Sequence, residues 1–270
     1  MGALDSMAGW EGGRAGAAVF PDGSIERFGD TRRPFELASI TKLYSAMATL
    51  VAHEEGTLDL DTPIGDAGHT AADLLAHSGG VAPDERRWMA PPSTRRIYST
   101  AAYEILADAL AEAAGMPFAH YAKEAVTAPL DLPTMRLDGS PGAGAIGSVE
   151  DLIGLSAAWR APLLVDGSTL DRATSPHRAD LAGVVPGFGR YEPNPWGLGP
   201  EIRGDKQPHW TSPVNHPRTF GHFGRTGTML WIDPVADTTV IALSDQGFGP
   251  WATTAWPVLS SEVLAVARRG

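Results

Sequence analysis

Ser39 and Lys42, in Ala38-Ser39-Ile40-Thr41-Lys42, place a hydroxyl and an amine about one helical turn apart. Residues three apart on a helix are neighbours, so the two side chains would share a face. A serine hydroxyl is a weak nucleophile and needs a base within hydrogen-bond reach. A lysine amine can be that base only where burial or nearby cations lower its pKa. A helix N-terminus adds backbone N–H groups that favour developing negative charge. The same spacing also fits a capping serine and a solvated lysine at the start of a surface helix. Usage weighs against that: of 21 Lys+Arg only Lys42, Lys123 and Lys206 are lysines, and only Lys42 follows a serine by three. An arginine-preferring chain that keeps a lysine here points to a lysine-specific role.

The elements that would position this pair are legible in outline. Ile40, Leu43, Tyr44, Met47, Leu50 and Val51 repeat at helical spacing, with Gly56 as a stop. Upstream, residues 14–20 and 24–28 flank Pro21-Asp22-Gly23 and read as a hairpin. Helical patterns follow at 70–76, at 101–114 with Gly115 as the terminating glycine, from Pro117 to about Val126, and at 150–160. Residues 139–147 read as a Gly/Ala-rich loop, and 173–217 as long irregular connections. Residues 219–223, 227–232 and 238–244 are strand-like, and a helix from about Trp256 to Arg268 closes the chain. The order predicts an α/β (α+β) fold: an antiparallel sheet from both chain ends flanked by helices, with an inserted mostly helical region. Residues 1–13 read as an extension or cloning scar. The domain is expected over 14–270, with a sheet lobe at about 14–50 and 185–270 and a helical lobe at about 51–184.

Composition narrows the classes. The net charge of −11, with no basic run to offset it, argues against nucleic acid or anionic membrane as partner. Zero cysteines exclude disulfides, thiolate metal sites and a thiol nucleophile. No apolar run is long enough for a membrane span. The N-terminus lacks the charged and apolar regions of a signal peptide, which reads as cytoplasmic, a leader already removed being the alternative. The eight histidines lack metal-site spacing, so no metal and no cofactor are expected. Gly142-Ala-Gly-Ala-Ile-Gly147 matches a dinucleotide fingerprint, but no strand–turn–helix unit surrounds it. The tryptophans of the C-terminal third are read as core or cleft wall.

Two further segments complete a pattern: Tyr98-Ser99-Thr100 before the 101–114 helix, and His222-Phe223-Gly224 at a strand end, followed by Arg225. Together with Ser39/Lys42 these resemble the three motifs of the serine β-lactamase-related superfamily, in the branch of class C β-lactamases, D-amino-acid-specific peptidases and esterases. ELASITKLYSA (36–46), GTLDLDTPI (56–64), ADLLAHSGGV (72–81), YSTAAYEILADAL (98–110), SVEDL (148–152), WGLG (196–199) and TGTMLWIDP (226–234) are similar to family blocks in the expected order. The resemblance implies a β-lactamase/transpeptidase-like fold and a penicillin-recognising type of serine hydrolase. Ser39 would form an acyl-enzyme, with Lys42 and Tyr98 sharing the proton transfers, which of them is the base being left open. The backbone N–H groups of Ser39 and Arg225 would form the oxyanion hole. Thr100, His222, Phe223, Gly224 and Arg225 would line the substrate site.

Departures from the family pattern narrow the expected substrate. Thr100 stands where the family carries asparagine, Phe223 replaces a hydroxyl residue, and His222 stands where β-lactamases carry lysine. Arg225 would offer an alternative carboxylate contact through its forked guanidinium, a rim residue being the other reading. The expectation is an esterase-like hydrolase or amidase acting on a small ester or amide. The alternatives are an acyltransferase, a D-amino-acid peptidase or β-lactamase, and a non-catalytic acyl-ligand binder. The sequence is silent on oligomeric state.

Overall fold

In the computed structural model, which describes residues 2–65 and 68–269, a six-stranded antiparallel sheet carries strands from both chain ends. Met1, Asp66, Ala67 and Gly270, which fall within the expected extension, helical lobe and domain end, lie outside the described residues. Across the sheet the strands run Glu201–Ile202, Phe220–Gly224, Thr228–Asp233, Thr238–Ser244, Arg14–Val19 and Ile25–Gly29. The chain's first and last thirds are joined in the middle of the sheet, with Ala17 opposite Ile241 and Val19 opposite Thr239.

The C-terminal strands are buried on both faces, so they read as nearly continuous apolar runs, yet their side chains still alternate. Leu230, Ile232, Ile241 and Leu243 point into a core shared with the helices, whereas Met229, Trp231, Val240 and Ala242 point to the opposite face. The first face is covered by α1 (Thr41–Glu54) and α5 (Val149–Arg160), and the second by α7 (Pro250–Ala267). Ala3, Leu4, Met7 and Trp10 are buried against that second face, and Trp231 Nε1–H donates to Ser260 Oγ of α7 at 3.0 Å. The inserted region supplies α2 (Ala71–Leu75), α3 (Ala101–Ala114), α4 (Phe118–Ala122) and α6 (Gly167–Thr174). α3 ends at Gly115 in the left-handed region (φ 66°), as a C-terminal glycine allows.

Four local expectations need correction. Ser39 does not lie in α1 but in a separate 3₁₀ turn, Ala38–Ile40, entered through a left-handed Ala38 (φ 46°). Ala145–Gly147, expected as loop, is a strand pairing with Phe35–Glu36 and Arg136–Leu137. Residues 173–217, expected as irregular connections, carry three short strands, Gly183–Val185, Gly189–Tyr191 and Glu201–Ile202. The last helix begins at Pro250 rather than near Trp256. Pro250 sits at the first helical position, where a missing N–H costs nothing, and Pro257 is carried inside the helix.

Candidate active site

Ser39 and Lys42 meet in space although they belong to different elements. Lys42 Nζ lies 3.5 Å from Ser39 Oγ and 3.5 Å from Thr100 Oγ1, and donates to Gly142 O at 2.7 Å. It also sits 4.7 Å above the Tyr98 ring and 5.4 Å from that of Tyr103. All its polar contacts are neutral oxygens. Lys42 is fully buried in α1, and burial lowers its amine from 10.5 to about 7. Asp84 and Glu104 act from a distance to raise it, and Arg225 to lower it further.

Tyr98 Oη donates to Ser39 Oγ at 2.7 Å. Burial raises the phenol above its usual value, so it holds its proton and acts as a donor throughout the neutral range. Its ring is held among His77 (4.6 Å between centroids), Trp196 (5.8 Å) and His222 (5.8 Å). Ser39 is thus gripped by two proton-handling groups from two elements, the amine from α1 and the phenol from the loop before α3.

The third motif closes the opposite wall. Thr226 Oγ1 donates to Glu36 O at 2.8 Å and Thr228 Oγ1 to Leu37 O at 3.1 Å, fastening the turn after Phe220–Gly224 to the segment before Ser39. Gly224 is required at this approach: a Cβ there would lie 2.6 Å from Leu37 O and 2.9 Å from Ala38 Cβ. The stitching brings the Gly224 end of the strand against the segment that carries Ser39.

His222 is buried, and its Nδ1 lies 2.7 Å from Phe223 O. A carbonyl only accepts, so Nδ1 carries the hydrogen. Burial and the nearby Lys42 lower the imidazole to about 3, so it is uncharged at neutral pH. Phe223 packs with Phe188, Phe248 and Trp256 at centroid distances of 5.8, 5.2 and 5.7 Å. The cavity above Ser39 has a volume of about 570 Å³, and Thr100, His222, Phe223 and Arg225 all line it. Gly224 does not line it; it supplies clearance. Thr100 faces the lysine amine as well as the cavity.

Several residues of the site were not singled out from the sequence. Gly142, inside a loop set aside as a false dinucleotide match, presents the carbonyl that orients Lys42. Glu201 lies in the cavity wall, buried, bonded to Lys206 Nζ at 2.5 Å, His209 Nε2 at 3.2 Å and Trp210 Nε1 at 2.7 Å. Burial alone would push the Glu201 carboxyl up; Lys206 and His209 more than offset this and hold it well below the usual range. Asp84 and Glu104 stand at the rim. Glu104 accepts from Ser140 Oγ at 2.8 Å, whereas Asp84 has no ion pair among the described residues. Among those residues no group of three or more histidines and carboxylates is arranged to hold a metal, and no helix is long and apolar enough to cross a membrane.

Comparison with known proteins gives the chain a family. The family model described as Beta-lactamase matches residues 9–261. The structure of a beta-lactamase from Mycobacterium bovis superposes with a TM-score of 0.96 at 43% identity, covering 98% of this chain and 99% of that one. Unliganded simvastatin synthase (LovD) from Aspergillus terreus has a TM-score of 0.78 at 17% identity, over 99% and 96% of the two chains. A penicillin binding protein from Bacillus halodurans has a TM-score of 0.75 at 17% identity, over 100% and 99%. At these identities the last two speak for the fold alone. The D-alanyl-D-alanine-carboxypeptidase/endopeptidase AmpH of Escherichia coli K12 is 27% identical over 175 residues, a match that spans 46% of this chain and 46% of that protein.

Proposed function

The chain belongs to the beta-lactamase family of serine hydrolases, and we propose that it hydrolyses a small ester through an acyl-enzyme formed on Ser39. The observation that carries this reading is the pair of contacts on one hydroxyl: Tyr98 Oη at 2.7 Å and, at 3.5 Å, a Lys42 amine lowered to about 7. Near neutral pH a large fraction of that amine is unprotonated, and its lone pair can accept a proton. The phenol cannot serve as the base there, because burial raises its pKa.

The roles then divide. Ser39 Oγ bonds to the acyl carbon as its proton passes to Lys42 Nζ, and the carbonyl oxygen takes the negative charge toward the N–H groups of Ser39 and Arg225. As the carbon–oxygen bond to the leaving group breaks, Tyr98 supplies the leaving oxygen's proton and is reprotonated directly by the Lys42 ammonium beside it, which holds the proton taken from Ser39. Water attack on the acyl-enzyme reverses these transfers and frees Ser39. Gly142 O and Thr100 Oγ1 occupy the amine's hydrogens and aim its lone pair at Ser39.

Two features favour an ester over a β-lactam. His222 is neutral where a cation would hold a β-lactam carboxylate, and Phe223 carries no hydroxyl. The test is intact-protein mass spectrometry after brief exposure to p-nitrophenyl butyrate and, separately, a penicillin, with Ser39→Ala as control. A transient butyryl adduct that needs Ser39 is the expected result. A long-lived penicillin adduct would redirect the reading to a penicillin-recognising peptidase. No adduct and no turnover would point to a non-catalytic binder.

A further inference from the structure

The cleft does not end at Tyr98. A second cavity of about 530 Å³ shares Asp84, Tyr98, Thr100 and Pro186 with the first, so the two adjoin along a wall that includes Tyr98. The partition between them is the two-stranded ribbon Gly183–Val185 and Gly189–Tyr191. Adjacent residues on a strand face opposite sides. Val185 lines the first cavity and Val184 the second. Val184 is paired directly with Arg190, so both present to the same side, and Arg190 also lines the second cavity.

That second cavity combines an apolar body with exposed positive charge. Met89, Ile97, Ala182 and Val184 supply apolar lining, and Arg95 and Arg190 supply the guanidinium groups. Met89 and Val184 are 43% and 52% exposed, so their apolar surface is open to a ligand. The nearby Arg96 is committed elsewhere, its guanidinium donating to the carbonyls of Ala76, His177, Arg178 and Asn194. Arg95 and Arg190 are not so committed. Arg190 makes only a loose pair with Glu192 at 3.8 Å, and Arg95 has no carboxylate partner among the described residues.

We propose that this second cavity is the leaving-group subsite, and that it selects an alcohol with an apolar body ending in a carboxylate. The inference rests on the reading of Ser39 as an acylated nucleophile. A leaving oxygen must touch Tyr98 Oη to take its proton, and the group attached to that oxygen then extends past Tyr98 into the adjoining space. Arg95 and Arg190 receive its carboxylate in forked geometry. Asp84, at the junction, repels an anion placed too near the reacting bond, which sets a minimum length for the apolar part.

The test compares two butyrate esters of equal reactivity, those of 4-(4-hydroxyphenyl)butanoic acid and of its primary amide, at low and high salt. The carboxylate ester should be preferred in kcat/KM by roughly tenfold at low salt, the scale of two partly solvated charge pairs. The preference should fall toward one in high salt and in the Arg95→Ala/Arg190→Ala variant, but persist in Arg225→Ala. Equal rates, a preference that survives the double variant, or one lost only with Arg225→Ala would overturn the proposal. Binding of free 4-(4-hydroxyphenyl)butanoate to the Ser39→Ala protein, followed by calorimetry, separates this from the catalytic reading. If neither ester turns over, binding that depends on Arg95 and Arg190 still supports the subsite, and its absence refutes it.

Discussion

Replacing Lys42 by methionine should abolish activity and stabilise the protein, by an amount that depends on pH. The folded state lowers this amine from 10.5 to about 7. Each unit is worth about 1.4 kcal/mol, so the buried charge costs on the order of 5 kcal/mol where both states are protonated, and about 4 kcal/mol at pH 7. Methionine removes that cost and keeps the apolar stem. Against this, Gly142 O loses its donor, a loss of about 1–3 kcal/mol. The net expectation is a gain of roughly 1–3 kcal/mol at pH 7. Between pH 7 and 10.5 the unfolded lysine binds more proton than the folded one, so wild-type stability rises with pH across that window and is flat below it. The Lys42→Met variant lacks this rise, and its advantage should shrink by about 2 kcal/mol between pH 7 and 9. Urea denaturation of both proteins at those two pH values measures the difference. Hydrolysis of p-nitrophenyl butyrate by the wild type should rise with pH around a midpoint of about 7 and be lost in the variant. A variant less stable than wild type at pH 7, or a stability gap that ignores pH, would refute the argument that Lys42 is held as a strained, desolvated base.

Tyr98→Phe should retain the fold and lower kcat for esters by roughly two to four orders of magnitude, because it deletes only the phenolic proton donor; a near-normal rate would remove Tyr98 from the mechanism. Gly224→Ala should cost at least tenfold in kcat/KM with little change in far-ultraviolet circular dichroism, since its Cβ would push against Leu37 O and part the residue 225 turn from Ser39. Glu201→Gln should destabilise by about 3–5 kcal/mol in urea titration at pH 7, because it leaves the buried Lys206 without its counter-ion.

The parts of the fold that could be read ahead were those set by local periodicity. The 101–114 helix and the 238–244 strand match the structure at both ends, because apolar spacing and a terminating glycine or turn act over a few residues. The last helix, expected from about Trp256, begins six residues earlier at Pro250, and its interior Pro257 is tolerated where packing of Trp256, Leu259 and Val263 holds the helix together. The Ser39 turn was read as part of α1, because Ala38 gives no sign in its side chain of a left-handed backbone, a conformation worth roughly 1–3 kcal/mol of strain at a non-glycine residue. The site was legible where chemistry-bearing side chains recur at fixed spacing: Ser39, Lys42 and Tyr98 come together, and Thr100, His222, Phe223 and Arg225 line one cavity. Gly142 was invisible because it acts through its carbonyl, which every residue has. Glu201 was invisible because its partners Lys206, His209 and Trp210 form no recognisable spacing.

The two buried lysines explain why one is suited to proton transfer and the other is not. Lys42 and Lys206 are both almost wholly buried, and burial lowers both. Lys206 Nζ rests 2.5 Å from the Glu201 carboxylate, which itself lies well below its usual range, so the pair stays ionised and holds the Glu201–Ile202 strand to the 206–210 segment. Lys42 meets three neutral oxygens and no carboxylate at contact distance. A counter-ion would have made it a second structural cation, permanently charged and unable to accept the Ser39 proton. What sets Lys42 apart from Lys206 is therefore a withheld partner: Asp84 and Glu104 are near enough to limit the depression of Lys42, and too far to neutralise it.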